Sequence, residues 1–212
     1  MVPEAIAEHD DWHTHEHLPE RLSISGFLRG SRSVAVRGQP RYLVLYEVAR
    51  LETLSSAAYL ERLNHPSAWT SKMMPYYRGM SRGLCAVVAS RGLGMGSLTY
   101  AIRFRADAQA EQSLRRWLLD EVLPTVPARR GVGSAHLLQG AAAAQMTNEQ
   151  RIRGADAGVD TALLIMGYES DALLELARTV VGPAQLERRG ATVTADGAYR
   201  LDYTLARSEL AA

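Results

Sequence analysis

The apolar and polar positions resolve into two runs of short elements joined by a glycine-rich stretch. Residues 3–17 predict a helix, since Pro3 suits a first turn and Glu4 and Glu8 sit near the positive end of its dipole. Pro19 has no N–H and biases Leu18 away from helical geometry. The helix is therefore expected to stop or kink near His17, with residues 20–22 as a further turn. Gly26 lets the chain reverse into a strand over 27–36, and Gly38-Gln39-Pro40 turns it into a second strand over 42–48, rich in β-formers. Leu54, Ala57, Ala58 and Leu60 fall at helical spacing within 51–63. An aromatic-rich segment, 69–77, breaks near Pro75, and 84–90 reads as a third strand. Gly92, Gly94 and Gly96 then form a hinge.

Beyond the hinge, 98–105 alternates as a half-buried strand, 108–121 reads as a helix, 132–138 as a strand and 160–167 as a buried strand. A helix over 173–181, a polar turn over 182–190 and a last strand over 199–206 complete the run. The two runs share a register. Trp12, Glu16, Leu18, Pro19 and Gly26 fall without a gap on Trp117, Glu121, Leu123, Pro124 and Gly131. Tyr46-Glu47 matches Tyr168-Glu169 after an insertion near 141–158, which reads as a short surface helix or loop. The second run has the order β-α-β-β-α-β of a ferredoxin-like unit, and the first has the same order without its leading strand. The expected organisation is α+β: ferredoxin-like repeats over 1–91 and 97–212, packed sheet to sheet. Because the leading strand is central in such a sheet, its loss leaves two strands without their shared neighbour. The expectation is that the natural chain begins upstream or that another subunit fills the gap.

Composition narrows the function classes. The 212 residues are 47% apolar and 22% charged, ordinary for a globular protein, and the formal net charge is +1. That balance gives no electrostatic case for nucleic acid or an anionic membrane. Arginine greatly outnumbers lysine, a bias that suits local pairing with carboxylates and also follows from a GC-rich genome. Cys85, the single cysteine, rules out an intrachain disulfide and reads as a small buried hydrophobe. With no apolar run of about 20 residues and no basic-then-apolar leader, a cytoplasmic protein is the default expectation.

The residues Trp12-His13, Glu16-His17-Leu18-Pro19-Glu20-Arg21, Gly26-Phe27 and Arg32 carry a resemblance. The chain is similar to the dimeric α+β barrel superfamily, especially its EthD-like branch, although Ser25 stands where that motif has proline. The second run keeps the Trp, Glu and Leu-Pro but has Val122 where His17 stands, so it looks structural. The resemblance implies an intrachain barrel, with a ligand cavity between each sheet and its helices and the motif histidine at the edge. The superfamily includes cyclases, isomerases, quinone-forming monooxygenases, haem-dependent peroxidases and proteins of no known activity, so it implies a place for a ligand and not a reaction.

Among the candidate residues, His17 leads, since an imidazole suits proton transfer near neutral pH. Glu16, Glu20 or Glu47 would orient it, and Arg21 would hold an enolate or carboxylate. A histidine satisfying a helix C-terminus is the structural alternative. Trp69, Met73 and Tyr77, with Tyr46, would line an apolar pocket for a planar substrate, or form ordinary core or a subunit interface. His9, His13 and His17 share a helix face, but no carboxylate or cysteine completes a metal set, so neither metal nor cofactor is expected. Three readings follow. One is a cofactor-independent enzyme (cyclase, isomerase or monooxygenase type) on an aromatic or polyketide-like substrate; another is a non-catalytic ligand-binding or self-assembling protein. The third is a haem or metal protein. A small-molecule ligand is the expected partner, and the aromatic patch is compatible with a homo-oligomer.

Overall fold

The structure, a computed structural model, describes residues 1–141, 146–154 and 156–210. Seven strands alternate with helices: β1 (Phe27–Gly38), β2 (Tyr42–Val48), β3 (Cys85–Gly92), β4 (Leu98–Ala106), β5 (Val132–Gly140), β6 (Thr161–Gly167) and β7 (Ala191–Ala206). The helices are α1 (Ile6–Trp12), α2 (Leu18–Ser23), α3 (Ala57–Asn64), α4 (Ala68–Met73), α5 (Glu111–Trp117), α6 (Leu123–Thr125), α7 (Asn148–Arg153), α8 (Ser170–Thr179) and α9 (Pro183–Glu187).

The strands form one antiparallel sheet in the order β2-β1-β7-β4-β6-β5-β3. Within it β7-β4-β6-β5 has the ferredoxin-like order. β7 joins the halves: Ala191–Arg200 pairs with β4, and Gly197–Ala206 pairs with β1. The second junction is β3 on β5. The sheet curls, so that Leu43 and Leu45 of β2 and Leu138 of β5, five strands away, pack on one buried cluster of Ala101, Leu164, Met166 and Tyr199. These side chains line the lumen of an α+β barrel. The opposite face is covered by helices, and its largest core lies in the second half, where Tyr100, Ile102, Leu118, Leu123, Leu163 and Ile165 are fully enclosed. β2 and β3 are the edges of the sheet. β4 sits between β6 and β7, and among the described residues no strand takes the corresponding place between β2 and β3.

Three expectations need correcting. Pro19 does not end the helix. A π-helical turn over His13–His17 carries α1 into α2, with the Leu18 N–H reaching back five residues to the His13 carbonyl. The wider turn displaces the usual i–4 pairing just where a proline has no N–H to offer. The polar turn at 182–190 contains α9, which buries Leu186, and the last strand starts at Ala191 because it pairs with β4 before it reaches β1. The insertion is also more than a surface appendage. Its residues 142–145 and 155 lie outside the described residues, but α7 docks on the first half: Asn148 bonds to Asn64 at the end of α3, and Glu149 is 2% exposed.

Candidate functional site

The helix-side interior of the first half carries a polar cluster beside apolar side chains such as Trp12, Leu18, Leu22 and Phe27. α1, the π turn and α2 present His9, His13, His17 and Arg21 at four-residue intervals, and their rings stack in a ladder rather than converging. His9 and His13 lie 5.5 Å apart, as do His13 and His17, and the Trp12 ring lies 4.4 Å from that of His17. Among the described residues no three His, Cys, Asp or Glu side chains are grouped as a metal ion would require. His9 is satisfied, with Nδ1 on Asp10 and Nε2 on the Tyr77 hydroxyl, each at 3.0 Å. His13 Nδ1, His17 Nδ1 and the Tyr46 hydroxyl are not. All three are shut off from solvent without a hydrogen-bond partner. Leaving such a group unpaired costs about 1–3 kcal/mol, so three near one another need an explanation.

Arg21 links them, lying close enough to all three to bear on their protonation. It is itself buried and donates to Glu149, which α7 brings from 128 residues away. Burial, the largest influence, would lower the pKa of Arg21, but Glu149 together with Tyr59, Tyr46 and Glu20 more than offsets it and the pKa is raised. Arg153 completes the cluster, 3.7 Å from Glu149 and bonded through two nitrogens to Asp156. Burial, then the positive charge of neighbouring groups, Arg21 among them, holds the pKa of His13 and His17 well below the usual histidine value of 6.5. Both are therefore bases with a free lone pair at neutral pH. Burial likewise pushes the Tyr46 hydroxyl upward, so it stays protonated and able to donate. Gly30 on β1 makes room for this tyrosine, since a Cβ there would collide with Leu18 and the Tyr46 ring.

The remaining candidates are divided. Glu16 does not reach the histidines: its Oε1 accepts from Trp12 Nε1 at 3.2 Å, Ser67 Oγ at 2.5 Å and Thr70 Oγ1 at 3.3 Å, which pins the π turn to α4. Glu20 is engaged by Arg21 and Arg62, and Glu47 stands on the lumen face beside Arg29. Met73 is enclosed against Trp12, while Trp69 donates to Glu8 at the rim of the same cluster. Tyr77 belongs with His9, and Tyr46 with His17 through Arg21. Sequence reasoning weighed His13 chiefly as a possible metal ligand and passed over Glu149 and Arg153. A signal did exist, in that Arg21 shares a helix face with His17 and so had to find a carboxylate. Two open clefts, of about 200 and 400 Å³, lie in the second half around Arg105 and Asp160, away from the histidines.

No family model and no curated protein matches the sequence. Solved structures do resemble the whole chain. An anthrone oxidase-like protein superposes with a TM-score of 0.66 over 99% of this chain and 90% of its own, at 13% identity. A candidate monooxygenase from Fusobacterium nucleatum subsp. nucleatum gives 0.55 over 97% and 89%, at 9% identity. The likeness establishes the fold. This is an α+β barrel, and no helix among the described residues is long and apolar enough to cross a membrane.

Proposed function

We propose that the chain is a tandem α+β barrel of the EthD-like type, with halves 1–91 and 97–212, that binds a small aromatic or polyketide-like molecule in its first half. In this reading it acts as a cofactor-independent enzyme of the cyclase, isomerase or monooxygenase type, in the cytoplasm. The observation that supports it is the group of three unpaired, enclosed polar atoms, His13 Nδ1, His17 Nδ1 and Tyr46 Oη, beside the Arg21–Glu149 pair. A ligand with one hydroxyl and one carbonyl would satisfy them. His17 takes the proton of an acidic hydroxyl or C–H, and the Tyr46 hydroxyl donates to the oxygen on which charge develops. Arg21, already paired, tunes the site through its charge rather than gripping an anion. One of the two similar structures is named anthrone oxidase-like and the other a monooxygenase, which supports an oxidation, and anthrone is the first substrate to try.

Oxygen uptake and product formation with anthrone and hydroxylated aromatic ketones test this, in wild type against His17→Ala and Tyr46→Phe. Loss of turnover by about 100-fold or more in His17→Ala is the expected result for a general base. Turnover unchanged by that substitution would remove His17 from the mechanism. Non-catalytic binding is the second reading, favoured by the engagement of Glu16, Glu20 and Glu47 elsewhere, which leaves His17 without an orienting carboxylate. Saturable binding with no turnover would select it.

A further inference from the structure

A second cluster lies on the opposite face of the sheet, at the lumen edge. On β5, Ser134, His136 and Leu138 face the lumen, because the intervening Ala135 and Leu137 belong to the helix-side core. Ser90 stands directly opposite His136 on β3. Their meeting depends on a bulge: Val87 pairs with Leu138 and Ala89 with Leu137, so β3 carries one extra residue at Val88. Without it Ser90, three residues beyond Val87, would point toward the helices.

Ser90 Oγ lies 2.8 Å from His136 Nδ1, and His136 Nε2 lies 3.2 Å from Ser134 Oγ. The Ser134 hydroxyl donates to the Gly94 carbonyl at 2.8 Å. That last bond fixes the direction of the chain. With its proton committed to Gly94, Ser134 Oγ accepts from Nε2–H, so the lone pair is on Nδ1 and Ser90 donates to it. We propose that Ser90, His136 and Ser134 form a second site, a nucleophilic serine with its base and positioning residue, suited to acyl transfer from short carboxylic esters. A nucleophile bonded to a base that a third group orients is the arrangement such chemistry needs. Ser90 is exposed, while His136 is half-buried and burial holds its pKa low against the opposing pull of Glu47, so its lone pair is available at neutral pH.

The surroundings select the ester. Leu164 and Met166 of β6 stand opposite His136 and Ser134, which provides an apolar wall for a short acyl chain. β3 is an edge strand, so alternate N–H groups along it have no ladder partner and can donate to an oxyanion. In the first step the Ser90 oxygen bonds to the ester carbonyl carbon, its proton passes to Nδ1 and the carbonyl π pair moves to oxygen. Collapse restores C=O and breaks the bond to the leaving alkoxide, which takes the proton from Nδ1. Water then repeats both steps on the acyl-serine, releasing the acid and regenerating Ser90.

The full chain is treated with a fluorophosphonate probe, and separately with p-nitrophenyl butyrate. The expected result is one adduct per chain, mapped to Ser90, together with ester hydrolysis that Ser90→Ala abolishes. His136→Gln lowers both by about 100-fold or more. Ser134→Ala lowers kcat with KM unchanged, and Ser134→Thr restores it. Each variant is melted beside the wild type, and Ser90→Ala, an exposed change at an edge, keeps the assay readable if His136→Gln weakens the fold. No adduct on Ser90, hydrolysis that survives Ser90→Ala, or indifference to His136→Gln at unchanged melting temperature would overturn the proposal.

Discussion

The two halves run the same backbone device over opposite interiors. In each, a π-helical turn begins one residue after a tryptophan, at His13–His17 and Leu118–Val122, and is followed by Leu-Pro. In each, a glycine with positive φ, Gly26 or Gly131, then turns the chain into a strand. The second half fills the space beneath this helix with Leu118, Val122 and Leu123, all enclosed in the main core. The first half puts His13, His17 and Arg21 there and leaves two imidazole nitrogens unpaired. The backbone therefore does not demand a polar interior. Where one is present it costs stability, a cost that the proposed ligand would offset.

The comparison can be broken most severely at Glu149. Replacing it with alanine leaves buried Arg21 with only the longer 3.5 Å contact to Glu20, and about 3 kcal/mol of stability should be lost in urea unfolding. Glu149→Gln, which can still accept a hydrogen bond, should lose less. Transplanting the polar interior comes next: Val122→His buries an oversized imidazole without a partner and should cost about 3 kcal/mol. A melt that matched wild type would show the second half to be less tightly filled than it looks. Acid sharpens the contrast on a smaller scale. The folded-state pKa values of His13 and His17 lie below the unfolded value of 6.5, so the unfolded chain takes up protons first as pH falls. Their stabilising contribution is complete above pH 6.5 and declines below it, by about 1.4 kcal/mol per pH unit for each histidine. A His13→Val, His17→Val double variant should flatten the stability profile below about pH 6.5. The smallest effect belongs to His17→Val alone at pH 7, which copies Val122: stability should be unchanged or higher by up to about 1 kcal/mol, with ligand binding lost.

Much of the second half could be read from local pattern, because alternation and helical spacing express burial directly. Thr161 to Gly167 is an example, an unbroken apolar run buried on both faces; Leu98 to Ala106 was legible as a strand, but it is an inner strand buried on both faces over most of its length rather than half-buried. The polar site resisted the same treatment. Nothing local in Asn148–Arg153 announces that Glu149 completes a pair 128 residues away. Glu16, next to the leading histidine in sequence, points instead to Ser67 and Thr70 because adjacent residues of a helical turn project to different sides. The pairing of Trp12 with Trp117 was visible in register, but their contacts differ: Trp12 is enclosed and bonded to Glu16, whereas Arg189 stacks on Trp117 with 4.0 Å between them. Register carries the backbone faithfully and side-chain partners poorly.

In a closed barrel, strand number and shear set the circumference, and the hoop cannot widen without breaking rungs. Here the ladder stops at β2 on one side and β3 on the other. The hoop is a horseshoe, and a small change of curvature summed over six interstrand junctions alters its bore with every rung intact. The packing of the buried lumen cluster, rather than closure of the ladder, then sets the curvature, which is a property of the sheet as a whole.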